Sequence, residues 1–190
     1  MTLPPLATEQ RHLAGLLETI QRCVYFLEAS RTKVPWPLQP EGLAARYKEV
    51  ALFETLAAIN ERFAKLQDTL GAAMRHAYLL SGEPGDTFLK MLAFYEKMGI
   101  LDALSDWQLC RATRNLAAHA YETDYSAIAE HFNTLNRLIP MLYGVAARFV
   151  DYCQTALGVS PLSENFTAEF LATTRPTDSI TSDPDQAQTD

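Results

Sequence analysis

Leu13, Leu16, Leu17, Ile20, Val24 and Leu27 recur at spacings of three and four, which puts them on one side of an α-helix. Thr8 precedes the run as an N-cap, so a first helix is expected from Thr8 to about Arg31. In "TKVPWPLQPEG", Pro35, Pro37 and Pro40 each fix φ and remove an N–H donor, which predicts a long, stiff, non-helical connection. A second helical pattern extends from about Leu43 to Leu80 through Val50, Leu52, Phe53, Leu56, Ile59, Phe63, Leu66, Leu70 and Met74. "SGEPGD" ends it, Asp86 is placed to cap a shorter helix "TFLKMLAFYEKM", and Gly99 to close that helix in the left-handed conformation.

"SDWQ" fits a capping box with Ser105 as N-cap, which predicts a helix from Asp106 through Tyr121. At about 100° per residue, Leu109, Ala112, Leu116 and Ala120 share one side, expected to face the core. Trp107, Arg111, Arg114, Ala118 and Tyr121 share the other. A last long helix is expected from about Tyr125 to Leu157, kinked near Pro140 and ended by Gly158, then a short one in "SENFTAEFLATT" packed by Phe166, Phe170 and Leu171. The segment from Thr173 onward has almost no apolar side chains, two prolines and four aspartates, and is expected to be disordered.

These 190 residues, 48% hydrophobic with eight glycines, suit one core and a helix-rich fold. The expectation is an all-α, up-and-down helical bundle over residues 1–172 and a disordered acidic C-terminal tail over 173–190. The formal charge is -7, of which the tail carries -3, so residues 1–172 carry -4. Such a balance argues against a surface that attracts nucleic acid everywhere and leaves room for a locally basic cleft. Cys23, Cys110 and Cys153 are odd in number and lack C-x-x-C spacing, which reads as buried thiols in a reducing cytoplasm rather than disulfides or a metal site. No basic region followed by an apolar run opens the chain, and "LIPMLYGVAARFV" is interrupted by Arg148, so a soluble protein without a membrane partner is expected.

The chemistry concentrates in "RNLAAHAY", residues 114–121. Asn115 and His119 are one turn apart, so the amide can orient the imidazole. An imidazole with an unperturbed pKa of about 6.5 can move a proton near neutrality, as attack by a ribose 2′-hydroxyl on the adjacent phosphate requires. Arg114 suits the charge accumulating on the phosphoryl oxygens, and Arg111 is placed either to hold a flanking phosphate or to interact with Gln108 or an acid. Arg114 and His119 are about 140° apart around one helix, so a groove needs a second helix across that face, and a two-fold pairing of the helix with its own copy supplies one. R-x-x-x-x-H spacing alone also arises by chance in helical proteins, with the Arg solvated and the His hydrogen-bonded near a helix end.

The octapeptide resembles the R-N-x-x-x-H-x-Y signature of the HEPN superfamily, and in particular its HepT-like toxins. The match comprises Arg114, Asn115, His119 and Tyr121, with a looser similarity of helix order over residues 8–157. The resemblance implies a HEPN-like bundle that dimerises through the motif helix and a metal-independent endoribonuclease toxin that needs no cofactor. Arg114 and His119 match the catalytic pair and Asn115 the polar residue beside the Arg. Tyr121 matches the tyrosine to which a minimal nucleotidyltransferase antitoxin transfers AMP. The implied substrate is RNA and not DNA. The long second helix, the "VPWPLQP" connection and the acidic tail exceed a minimal member. Two other readings stand beside it: a non-catalytic helical adaptor of a nucleotidyltransferase or nucleotide, and a helical regulator with an accidental octapeptide.

Other conspicuous side chains are read as structural. Trp107 is assigned to packing or a dimer contact, Phe88, Phe94 and Tyr95 to the core, and His12 and His131 to solvent-facing or satisfied positions. "RHAY" at residues 75–78 echoes the motif, but adjacent Arg75 and His76 point apart. Asp178, Asp183, Asp185 and Asp190 read as a solvated tail.

Overall fold

The computed structural model describes residues 5–85, 87–115 and 123–175. Among these, seven helices and no strand occur: α1 (Pro5–Arg31), α2 (Pro40–Ala45), α3 (Val50–Leu80), α4 (Phe88–Lys97), α5 (Leu104–Asn115), α6 (Tyr125–Ala156) and α7 (Thr167–Thr174). The expected kind of fold, an all-α bundle, is what the chain adopts.

The three long helices make the framework. His76 on α3 meets Glu9 on α1, while Arg62 meets Phe26 and Ser30, so α1 and α3 run antiparallel. His131 reaches Asn60 and Tyr152 reaches Ser81, so α6 runs parallel to α3. The α1–α3 seam is the most extensive among the described helices. Leu13, Leu17, Ile20, Val24 and Leu27 are fully buried, as are Ile59, Phe63, Leu66 and Leu70 opposite them. Each such side chain stabilises the fold by roughly 1.5–3 kcal/mol of apolar transfer free energy. Between α1 and α6, Glu28 holds Arg31 through both carboxylate oxygens at 2.7 Å and accepts from the Tyr143 hydroxyl at 3.2 Å.

The first helix starts earlier than expected. It opens at Pro5, where the missing N–H costs nothing, and Thr8 lies inside it rather than at its cap. The proline-rich connection is non-helical only to Gln39, because Pro40 occupies the first position of α2. It is pinned to α6: Asn133 accepts from the Leu38 N–H at 2.8 Å and donates to the Leu38 carbonyl at 2.9 Å.

The expected helix from Leu43 to Leu80 is two. Arg46, Tyr47, Lys48 and Glu49 are all exposed, so no buried side chain holds the chain helical between the two. Arg46 leaves the helical region and closes a turn with Glu49 through two charged hydrogen bonds of 2.5 Å. Val50, assigned to the buried face, is exposed. At α4 the cap is Thr87, whose hydroxyl accepts from the Lys90 N–H; Asp86, expected in that role, lies outside the described residues. Gly99 (φ 70°) and Gly158 (φ 64°) adopt the left-handed conformation expected of them, which any Cβ would strain. Helix α6 continues through Pro140 and is capped by Asp124, whose carboxylate accepts from the N–H groups of Ser126 and Ala127 at 2.9 and 3.2 Å. In α7, Phe170 is buried while Leu171 is exposed. The helix runs to Thr174, past the boundary expected at 173, and residues 176–190 lie outside the described set.

No helix among the described residues is long and apolar enough to cross a membrane.

Candidate functional site

Helix α5, which carries the start of the octapeptide, begins at Leu104, so Ser105 is not its N-cap. The cap comes from another helix: the Glu96 carboxylate of α4 accepts from the Leu104 N–H at 3.0 Å. Of the four residues expected to face inward, Leu109 and Ala112 do not, and Leu116 and Ala120 lie outside the described residues. Leu109 is 50% exposed and Ala112 is exposed, whereas Trp107, Cys110 and Thr113 are buried. Polarity along α5 misled because its inward face is mixed: one indole, one thiol and one hydroxyl that satisfies itself on the Leu109 carbonyl at 2.9 Å. Those three sit at i, i+3 and i+6, a spacing as helical as that of the leucine set.

With α5 turned this way, the side bearing Trp107 and Arg114 leans on α3. The Gln67 amide, buried in α3, donates to the Trp107 carbonyl at 3.2 Å. Since a carbonyl only accepts, this fixes the amide orientation and leaves Gln67 Oε1 buried without a hydrogen-bond partner among the described residues. The indole meets Gly71, where an added Cβ would lie 3.6 Å from the ring. Two turns further along α5, the Arg114 guanidinium forms a charged hydrogen bond with the Asp68 carboxylate of α3.

Between α3, α4 and α5 lies an open concavity of about 490 Å³, lined by Asp68, Arg75, Phe88, Trp107, Arg111 and Arg114. Arg75 lies over the Phe88 ring at 5.4 Å from its centroid. Three guanidinium groups against one carboxylate give this hollow two excess positive charges in a chain of net -7. The structure thus brings together Arg111 and Arg114, both singled out by sequence, and adds Arg75, Asp68 and Phe88, which were not. Arg75 and its neighbour His76 point apart, as expected of adjacent helical residues: His76 turns to α1, where Nε2 lies 2.9 Å from the Glu9 carbonyl and its ring meets His12 edge-on at 4.8 Å.

Asn115 is the last described residue of α5; its side chain, His119 and Tyr121, and with them the expected run of the helix to Tyr121, lie outside the described residues. Trp107 is buried and packs on α3, as its assignment to packing requires. His131 is held by Asn60 at 3.3 Å. Burial pushes the Cys110 and Cys153 thiols up to about 12 and raises that of Cys23. All three cysteines are free. Among the described residues no cluster of three or more His, Cys, Asp or Glu side chains could hold a metal ion.

The arrangement can neutralise a polyanion locally and grip phosphoryl oxygens with planar guanidinium forks. Arg114 meets such an anion only in competition with Asp68. No protein-family model matches the chain, and neither a curated protein nor a solved structure does.

Proposed function

We propose that the chain is a HepT-like HEPN endoribonuclease toxin, a cytoplasmic homodimer joined through the motif helix and neutralised when a minimal nucleotidyltransferase antitoxin transfers AMP to Tyr121. The observation that supports this reading best is the gathering of Arg114, the first residue of the octapeptide, with Arg75 and Arg111 in one hollow. An acidic chain has little reason to concentrate cations there unless an anion is received.

In this mechanism the 2′-hydroxyl oxygen of one ribose attacks the adjacent phosphorus, and the bond from phosphorus to the 5′-oxygen of the next nucleotide breaks. His119 takes the proton of the attacking hydroxyl, and the partner protomer's copy of that imidazole protonates the leaving oxygen. A 2′,3′-cyclic phosphate and a 5′-hydroxyl result. Arg114 stabilises the charge on the non-bridging oxygens, with Arg111 on a flanking phosphate and Asn115 orienting the imidazole. Neither metal nor cofactor enters these steps. AMP on Tyr121 sets a bulky anion beside the cleft and repels the substrate's phosphates.

The test is RNA cleavage in excess chelator. The wild-type protein is expected to cut, and His119→Ala and Arg114→Ala, if still folded and dimeric, to lose activity; cleavage surviving both substitutions ends the assignment. Mass spectrometry of protein co-expressed with the antitoxin is expected to place AMP on Tyr121. The alternative of a non-catalytic adaptor for a nucleotidyltransferase draws support from one observation, the pairing of Arg114 with Asp68, which satisfies the guanidinium without any phosphate.

A further inference from the structure

A second hollow of about 510 Å³ lies on the other flank of α3, against α1. Its walls carry Arg22, Arg62 and Lys65 against the single carboxylate of Glu61, so it too has two excess positive charges. Arg62 is fixed there, donating to the Phe26 carbonyl at 2.9 Å and to the Ser30 hydroxyl. Beside the cations sits a cluster of aromatic rings. Tyr25 and Phe26 meet at 5.1 Å, and Phe166 lies 5.6 and 6.3 Å from them. Tyr25 is 38% and Phe26 37% exposed, and the Arg22 and Arg62 guanidinium groups each lie 5.6 Å from the Phe26 centroid.

The two hollows adjoin across one exposed strip of α3. Glu61, Lys65, Asp68, Ala72 and Arg75 all face solvent at helical spacing. Lys65 and Asp68 are three residues apart and so neighbours on the helix surface. Arg62 to Arg75 covers about 20 Å at 1.5 Å per residue, room for about six stacked nucleotides at ~3.4 Å each. Each hollow repeats the same parts: three cations, one carboxylate and an aromatic ring beneath an arginine.

We infer that the α1–α3 hollow is a second binding site for single-stranded RNA, in which Arg22 and Lys65 contact phosphates and the Phe26 ring stacks a base, continuing the strand held at Arg111 and Arg114. Cationic grooves interleaved with aromatic platforms are the chemistry of single-strand binding, because charge follows the backbone and every base offers a π-face. A duplex would leave the rings without unstacked bases. The inference rests on the proposed RNA substrate and adds where the strand runs outside the cleavage motif.

The test uses the full chain and an unstructured, 2′-O-methylated oligonucleotide of about 20 nucleotides, which lacks the attacking hydroxyl and cannot be cut. Fluorescence anisotropy between about 50 and 200 mM salt gives affinity and salt slope. Losing two phosphate contacts in Arg22→Gln/Lys65→Gln is expected to flatten the slope by about 1.4, equivalent to roughly 25-fold weaker binding at 0.1 M salt. Phe26→Ala is expected to weaken binding fivefold or more with the slope unchanged, since stacking releases no counterions. The charge-conserving Arg22→Lys/Lys65→Arg keeps the wild-type slope, and Lys48→Gln, in the turn that precedes α3, does not reproduce the loss. Wild-type slope and affinity in the Gln pair, an equal loss in Lys48→Gln, or no wild-type binding at the lowest salt overturns the inference. Cleavage of unmethylated RNA, measured apart, reports on the motif. Its absence with Arg22/Lys65-dependent binding intact rejects the ribonuclease reading and keeps the second site; the reverse rejects only the second site.

Discussion

Asp68→Asn separates the two roles that Arg114 could have. The carboxylate is 61% exposed and the guanidinium 22%, so the pair sits at the rim of the hollow rather than in the core. Pairs of this kind contribute about 0–1 kcal/mol to folding, and the amide keeps an oxygen that can accept from the guanidinium, so the melting temperature is expected to change little. Binding should respond more. A phosphate seated on Arg114 would lie about 6 Å from the Asp68 charge, a repulsion of ~0.7 kcal/mol at the permittivity of water and ~2.8 kcal/mol at an effective value of 20. Removing it tightens RNA binding by between about threefold and a hundredfold. The exposure of Asp68 and a Debye length of about 10 Å at 0.1 M salt favour the lower end. The salt slope is expected to steepen by up to about 0.7, as Arg114 becomes available to one further phosphate. Anisotropy with the non-cleavable oligonucleotide measures both quantities. Unchanged or weaker binding by a folded Asp68→Asn protein would refute the competition argument and make Asp68 a positioning partner of Arg114.

Three further outcomes follow from the packing. Tyr95→Phe removes a buried hydroxyl that donates to the Met74 carbonyl at 2.7 Å and should cost about 1 kcal/mol in chemical denaturation, with no loss showing that bond to be idle. Asp124→Ala deletes the cap of α6 and should cost roughly 0.5–2 kcal/mol by the same measurement, since two N–H groups lose their acceptor. Among the cysteines only Cys23 is partly exposed, so iodoacetamide followed by intact-mass analysis should label one thiol in the native protein and three after denaturation. Burial raises the Cys23 thiol above its ordinary value, so less thiolate exists at pH 8 than for a free cysteine and the labelling rate should still climb beyond pH 9. A rate that levels off below pH 9 contradicts that shift.

The long helices were legible because their apolar positions kept one period over several turns. The leucines and isoleucine of α1 and the run from Leu52 to Met74 in α3 face where that period puts them, with Leu16 and Phe53 at the margin. The break at 46–49 was not legible, since residues of good helical propensity continue through it and only the absence of core partners, a tertiary fact, releases the chain. Helix α5 departs from its pattern for the converse reason. Its leucine and alanines outweighed a stripe of Trp107, Cys110 and Thr113 that the surrounding helices bury. The site followed the same division. Arg111 and Arg114 could be paired from their spacing on one helix, whereas Asp68, Arg75 and Phe88 reach the hollow from other helices, and no local pattern places them there.

Helix α3 is unbroken from Val50 to Leu80, so the cations it contributes to either flank are spaced by backbone hydrogen bonds and not by loops. That makes it a ruler. Thermal motion can swing the side chains, but the interval between Lys65 and Arg75 is set by ten residues of fixed rise, about 15 Å. Any elongated anion touching both flanks must match this interval, and lengthening a loop elsewhere in the chain leaves it untouched.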